Sequence, residues 1–343
     1  MPFKKYCSID EKSRKLTLEN FVARGYTKED WGVLTKIHGA NFSIIISKDK
    51  LGFAKRTSLI DEDDNFYNFR HAVVKHHEKF WEVRRLTLLE FGLDEDHEIQ
   101  FYGELFGGHY PHPDVPNVVG FKKVQDKVWY CPYVDFYPFD IYVRKGEVNF
   151  PLDQDVFERI VSEAGFTLYA KTLFVGSFED CLNYPNDYLD PTYKHYGLPP
   201  IEDNICEGNV LKPIKACCMP NGSRVILKTK NAKFTERKRE PKERKPPVEF
   251  SDEAKAVVVL ADEYINENRL RNVLSHVGEV TDGDFGKIMG LFSKDVRKDM
   301  EGDDPEVFSK LEKAEGKIVN KAINTTVSSF IRKHFVNIID GVF

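Results

Sequence analysis

The spacing of apolar positions changes twice along the chain. Up to about residue 235, short β-rich runs alternate with loops: Phe42–Ser47, Glu98–Leu105, Val134–Val143, Glu207–Leu211 and Ser223–Lys230. Each gathers β-branched or aromatic residues between turn formers, which predicts strands. Between the first two, Phe66, Phe69, Val73, Phe80, Val83 and Thr87 recur three, four or seven apart, which predicts one long amphipathic helix. Gly107–Val119 carries Pro111, Pro113 and Pro116. Proline lacks an N–H and clashes with a preceding helical turn, so that stretch is expected to be loop.

After Phe234 apolar residues almost vanish into ERKREPKERKPP, and a charged, Pro-containing linker is predicted over 236–250. Beyond it the period becomes helical. Ser251 before Asp252 and Glu253 supplies an N-cap and a negative first turn, and Ala254, Val257, Val258, Ala261, Tyr264 and Ile265 line one face. A second helix is expected to end at Gly278, another to run from Phe285 to Arg297, and Asp304-Pro305 to open a last long one. The expected organisation is α+β over 1–235 and all-helical over 251–343, with no internal repeat.

Composition narrows the class. The chain has 343 residues, 41% hydrophobic and 13% aromatic, enough for two domains with real cores and too apolar for global disorder. No apolar run approaches the roughly 20 residues that cross a bilayer, so no membrane association is expected. The opening MPFKKYCSIDEKSRK has charge without an apolar core, unlike a secretory signal. The six cysteines form no CxxC pair and read as reduced thiols of a cytoplasmic protein, in the host-cell cytoplasm if the chain is viral. His76 with His77, and His109 with His112, lack HExxH spacing or cysteine partners, so no zinc site is expected. The net charge of −5 hides an asymmetry. Lys212–Lys245 holds twelve Lys/Arg against three Asp/Glu, a local +9 that leaves −14 on the rest. A polyanion met at one place fits that pattern.

The sharpest local string is Lys36-Ile-His-Gly-Ala-Asn41. It puts an amine at a strand-to-turn junction, where Gly39 admits backbone conformations that other residues resist. A solvated lysine before a hairpin would look the same, and the order of further strings decides otherwise. Lys55-Arg56-Thr57, Tyr102-Gly-Glu104-Leu-Phe-Gly107, Asp135-Phe-Tyr-Pro-Phe139-Asp140, Glu207-Gly-Asn-Val-Leu-Lys212-Pro213 and Leu227-Lys228-Thr-Lys230 follow in turn. In that order the chain resembles the covalent nucleotidyltransferase superfamily of ligases and capping enzymes, and within it the bacteriophage RNA ligase 2 family, whose relatives include the kinetoplastid RNA-editing ligases. NRLRNVLSHVGEV and DFGKIMGL in the tail look like that family's C-terminal domain.

The resemblance implies a nucleotidyltransferase domain of mainly antiparallel sheets with flanking helices, followed by a small all-helical domain. It also implies an ATP-dependent RNA ligase in which Lys36 attacks the α-phosphorus of ATP, expels pyrophosphate and holds AMP as a phosphoramidate. No G-x-x-x-x-G-K-[ST] loop is present to hold ATP otherwise. A free lysine titrates near 10.4, and Lys228 and Lys230, two apart on an expected strand, would crowd positive charge around Lys36, favour its neutral amine and stabilise charge on the α-phosphate. By resemblance, Glu104 accepts from ribose hydroxyls, Phe139 stacks on adenine, and Arg56 meets ribose or phosphate. Lys212 likewise meets the triphosphate, Glu207 handles Mg²⁺ (or Mn²⁺), and His38 and Asn41 assist adenylylation. Taken singly, a surface charge or a core aromatic is the alternative for each.

Thr35 departs from the pattern, since the family usually has Glu before the nucleophile, and base discrimination there is left open. Arg269 and Arg271 are candidate RNA contacts in the tail, with a solvated helix face as the alternative. The expected substrate is RNA with 3′-OH and 5′-phosphate ends, in a duplex or bridged, acted on by a monomer. A capping guanylyltransferase or DNA ligase is the nearest rival. Those usually carry an OB-fold after the last lysine string, where this chain turns helical. A non-catalytic RNA-binding protein would not require Lys36, Glu104, Glu207, Lys228 and Lys230 together.

Overall fold

The computed structural model describes residues 3–234, 251–277 and 280–343; the expected linker and the helix end at Gly278 lie outside them. The chain divides into two compact units, Met1–Lys238 and Arg239–Phe343.

The first unit runs β1 (Asp10–Glu11), α1 (Lys15–Ala23), β2 (Trp31–Lys36), β3 (Ala40–Ile46), β4 (Leu51–Lys55), α2 (Phe69–Phe91), β5 (Glu98–Gly107), β6 (Val134–Lys145) and β7 (Val148–Pro151). It continues with α3 (Gln154–Glu163), β8 (Thr172–Gly176), α4 (Phe178–Asn183), α5 (Thr192–His195), β9 (Gly208–Pro213) and β10 (Leu227–Lys228). The strands form two five-stranded sheets, ordered β1-β10-β9-β2-β8 and β4-β3-β5-β6-β7. All pairs are antiparallel except β1 with β10. This is the α+β architecture of antiparallel sheets and flanking helices.

The long helix arises from the expected stripe. Phe69, Ala72, His76, Phe80, Val83 and Thr87 of α2 are buried. Phe80 stands edge-on to Phe101 and Phe136 of the second sheet, at 6.2 and 6.0 Å between ring centres. Burying one such side chain contributes about 1.5–3 kcal/mol, so this stripe fixes which face of the sheet is covered and leaves the opposite face for the site. Phe66 and Val73, read as part of the stripe, are only partly buried, and Phe66 sits in a 3₁₀ turn before the helix.

The second unit contains α6 (Asp252–Tyr264), α7 (Glu267–Ser275), α8 (Phe285–Asp303) and α9 (Lys313–Ile339). The expected cap is present: Ser251 Oγ accepts from the Ala254 N–H at 3.1 Å. Val319, Ile323, Val327, Ile331 and Phe335 of α9 recur every fourth residue and are buried, a single stripe. Asp304-Pro305 does not start this helix. Asp304 N–H still bonds the Met300 carbonyl, but Pro305 has no N–H to extend the ladder, so the pair ends α8. The last helix opens later, on a capping box between Glu312 and Glu315.

Candidate active site

Lys36 is the last residue of β2 and Ala40 the first of β3, so Ile37-His38-Gly39 carries the chain from one sheet to the other. Gly39 is needed there for close approach: a Cβ would lie 2.3 Å from the Leu105 carbonyl oxygen of β5. The expectation of an unusual backbone conformation is thus replaced by a steric requirement. The His38 N–H donates to Tyr130 Oη at 2.8 Å, which pins the turn from a third segment.

In the β2–β9 ladder Lys36 faces Gly208, which brings the preceding residue, Glu207, to the amine. Lys36 Nζ donates to Glu207 Oε2 at 2.6 Å, and His38 Nδ1 lies 3.3 Å from the same oxygen. Burial pushes the Glu207 carboxyl up, but the His38 hydrogen bond and the Lys36 charge outweigh it and leave it below its ordinary value. Gly208 lets a further segment close in, since a Cβ there would stand 2.1 Å from the Thr229 carbonyl oxygen. That contact brings Lys228 alongside. Its own ammonium is destabilised first by burial and then by the charges of Lys230 and Lys36, so positive charge does crowd at this point. β10 ends at Lys228, and Lys230 follows the strand instead of sharing it.

Of these residues, Lys36 and Lys228 face a cleft between the sheets. Thr35, Lys36, Val210, Lys212 and Lys228 line it from the first sheet, and Asn41, Glu104, Tyr137 and Phe139 from the second, with Arg56 just past β4. Glu104 faces Asn41 across the β3–β5 ladder. Its Oε2 is buried with no hydrogen-bond partner among the described residues. Burial raises its carboxyl from the ordinary 4.5 to about 7, with Lys36 opposing and Glu207 adding to the rise. The folded chain therefore binds a proton at Glu104 that the unfolded chain has already lost, so stability falls as pH rises from about 4.5 through about 7. Between pH 5 and 8, without nucleotide, the wild type should lose roughly 3 kcal/mol relative to Glu104→Gln. A gap between their melting curves that does not change with pH would show that the carboxyl is not held neutral.

Lys212 is placed differently from the expectation of a triphosphate ligand. Its side chain is 2% exposed, its Nζ donates to the Phe139 carbonyl at 3.3 Å, and Asp140 Oδ1 lies 3.9 Å away. Burial lowers its pKa to about 8 despite Asp140. It is part of the cleft wall, joined to a buried group in which Tyr6 Oη donates to Asp140 Oδ2 at 2.8 Å and Arg224 Nε lies 3.4 Å from that oxygen.

The family model described as RNA ligase matches residues 29–230, which hold every strand that lines the cleft. The chain belongs to the RNA ligase family. A second model, T4 RNA ligase 2 C-terminal, matches residues 248–329. Mitochondrial RNA-editing ligase 1 of Trypanosoma brucei brucei is 24% identical over 353 residues, covering 87% of this chain and 75% of that one. Mitochondrial RNA-editing ligase 2 of the same organism is 26% identical over 350 residues, covering 87% and 82%. Among solved structures, a Naegleria gruberi RNA ligase with pyrophosphate aligns at 15% identity and a TM-score of 0.41, over 68% of this chain and 58% of that one.

In this ligase-family chain, the two tail arginines differ. Arg269 is engaged within its own unit, bonded to Asp295 at 2.8 Å and Asp299 at 2.6 Å with its side chain 15% exposed, so it does not stand free for RNA. Arg271 is exposed, 3.5 Å from Glu267 and over the Phe343 ring. Sequence reading missed Tyr6, Cys7 and Tyr137 on the cleft wall. It weighed His76 only as a zinc ligand and missed its contact with Asp135, whose Oδ1 lies 2.7 Å from His76 Nε2 under the second sheet. A histidine on the buried stripe of α2 was the available signal for that last contact.

Proposed function

We propose that the chain is an ATP-dependent RNA ligase that joins 3′-OH and 5′-phosphate ends, sealing nicks in duplex or bridged RNA as a monomer. The observation that carries this reading is the Lys36 amine, 2.6 Å from Glu207 on the wall of a cleft that also holds Glu104, Phe139 and Lys228. Lys36 Nζ attacks the α-phosphorus; an N–P bond forms, the P–O bond to pyrophosphate breaks, and Glu207 Oε2 is an acceptor within reach of the amine's proton. Lys228 and Lys230 stabilise charge on the α-phosphate, Arg56 contacts ribose or phosphate, and Phe139 stacks on the base. The partnerless Glu104 Oε2 suits a donor such as a ribose hydroxyl. A 5′-phosphate oxygen of the RNA then displaces Lys36 from AMP, and the 3′-OH attacks the activated 5′-phosphate and releases AMP.

Mg²⁺, or Mn²⁺ in its place, takes hard oxygen ligands, commonly one or two carboxylates plus substrate phosphates. Glu207, ionised and 4% exposed at its side chain, fits as such a donor next to Lys36. When bound, the ion neutralises and orients the phosphates. His38 holds Glu207 in place, and Lys212 keeps the Phe139 backbone on the wall. Among the described residues no helix is long and apolar enough to cross a membrane. The six free cysteines fit the reducing cytoplasm in which we place the enzyme.

The test is incubation with α-labelled ATP or GTP plus Mg²⁺, followed by nicked duplexes that differ only in RNA or DNA strand identity. ATP should label the chain and RNA 3′-OH nicks should close. Labelling by GTP alone, or sealing of DNA 3′ ends alone, would overturn the reading.

A further inference from the structure

The chain stays at the site after Lys230. The Asn231 N–H donates to the Glu207 carbonyl at 2.8 Å and its Nδ2 to the Asn186 carbonyl at 3.1 Å, while its Oδ1 accepts from the Lys233 N–H at 3.0 Å. Ala232–Phe234 is a single 3₁₀ turn, in which the Phe234 N–H bonds the Asn231 carbonyl at 2.9 Å. Lys233 Nζ donates to the Asp203 carbonyl at 2.8 Å. From the loop before β6, Lys127 Nζ donates to the Lys233 carbonyl at 3.3 Å and stands 5.8 Å from the centre of the Phe234 ring. Tied down from several sides, this short turn leaves Phe234 only 4% exposed.

The ring meets His38. The two ring centres lie 5.3 Å apart with the planes at 74°, an edge-to-face pair. The His38 N–H bond to Tyr130 Oη fixes the backbone of the crossing, but the imidazole itself is 24% exposed and its Nδ1 stands 3.3 Å from Glu207 Oε2, a long contact that does little to set the ring plane. A histidine ring turns about a torsion with broad preferences, so its plane has to be set by packing. Phe234 supplies that packing. Glu207 is ionised and can only accept, so Nδ1 carries the hydrogen, and a swing of the ring would take it from the carboxylate that also holds Lys36 Nζ at 2.6 Å.

We propose that Phe234 is a positioning residue for adenylylation: its ring holds the His38 imidazole to Glu207, and through Glu207 it holds the Lys36 amine. The proposal rests on the adenylyltransferase reading above. Among the described residues, those that line the nucleotide cleft do not include Phe234. Its loss should therefore slow formation of the N–P bond and leave ATP binding alone, at a cost of about tenfold in rate for a loosened attack geometry. The segment that brings Lys228 and Lys230 then also brings the clamp on His38, so charge and geometry reach the amine on one piece of chain.

The test follows single-turnover labelling by α-labelled ATP, over a range of ATP concentrations, in the wild type, Phe234→Leu, His38→Ala and the double variant. Leucine keeps an apolar side chain and removes the ring. Phe234→Leu should lower the rate at saturating ATP about tenfold and move the half-saturating ATP concentration by less than about twofold. In the His38→Ala background no imidazole is left to hold, and the same change should cost less than about twofold. A general loss of packing would act equally in both backgrounds. Equal losses in the two, an unchanged rate in Phe234→Leu, or an effect confined to half-saturation overturns the proposal. Phe234→Met, which also fills space without a ring, decides if the leucine variant does not fold. If His38→Ala labels too slowly to follow, the split between rate and half-saturation in the single variant decides. A wild type that ATP does not label overturns the adenylyltransferase reading itself, an outcome distinct from labelling that is indifferent to Phe234.

Discussion

Lys36→Ala abolishes transfer of label from α-labelled ATP to the chain, by at least about a thousandfold, while RNA supplied with a 5′-adenylylated end is still sealed. The first half follows from the covalent step, which has no product if the amine that forms the N–P bond is missing. Lys228, the other cleft lysine of the first sheet with an exposed route to the nucleotide, already serves as a charge neighbour of Lys36 and sits on a different strand. It would have to move its whole backbone to take over. The second half follows because attack of a 3′-OH on an already activated phosphate forms no bond to a lysine, and in the proposed mechanism Glu207 and Lys228 remain in place for it. A denaturing gel reads the first result and a nicked duplex carrying the adenylylated end reads the second. Retained labelling in Lys36→Ala would place the nucleophile elsewhere. Loss of both activities would mean that Lys36 shapes the site as well as reacting in it.

Glu207→Gln lowers adenylylation about a hundredfold and raises the Mg²⁺ concentration needed for half-maximal rate about tenfold. The carboxylate lies 2.6 Å from Lys36 Nζ and 3.3 Å from His38 Nδ1, with a side chain 4% exposed, so it anchors the amine and, in the proposed mechanism, is also a donor to a hard cation. Glutamine keeps the shape and can still accept from Lys36, but it carries no charge to hold a divalent ion. Losing one electrostatic partner of a phosphoryl-transfer site commonly costs 10²–10³ in rate, on the order of 3–4 kcal/mol. Rates measured against Mg²⁺ separate the two roles. A slower enzyme with an unshifted metal dependence would leave Glu207 as an anchor only, and wild-type behaviour in both would defeat its assignment.

Elements with long-range periodicity were legible and pairings across the chain were not. The stripe from Phe69 to Thr87 showed α2 because helical spacing is written locally, and Ser251 before Asp252 marked α6 for the same reason. The edges slipped where a short signal had two meanings. Pro305 fits the first turn of a helix and the end of one equally well, and only the packing of α8 decides between them. Trp31–Lys36 was marked only at its end, as the strand-to-turn junction of Lys36, because Gly32 and Thr35 interrupt its apolar run, and Thr172–Gly176 was not read as a strand. At the site, the order of short strings marked Lys36, Glu104 and Glu207, but nothing local joins Lys36 to Glu207, 171 positions apart. Lys212 was read as a triphosphate ligand, and its burial was not legible because it depends on Asp140 and Phe139, supplied by the other sheet. The Thr35–Tyr188 contact spans 153 positions and was invisible for the same reason.

The strand ladders run within each sheet, whereas the cleft draws Lys36, Lys212 and Lys228 from one sheet and Asn41, Glu104 and Phe139 from the other. The reactive centre is therefore a seam, closed by side chains and by the short Ile37–Gly39 crossing rather than by backbone pairing. Were dilute denaturant to loosen the contacts of Lys212 with Asp140 and the Phe139 carbonyl while both ladders stayed intact, the seam would part. Such a chain would keep its far-ultraviolet dichroism and lose its chemistry, a separation of form from competence that is built into where the two layers meet.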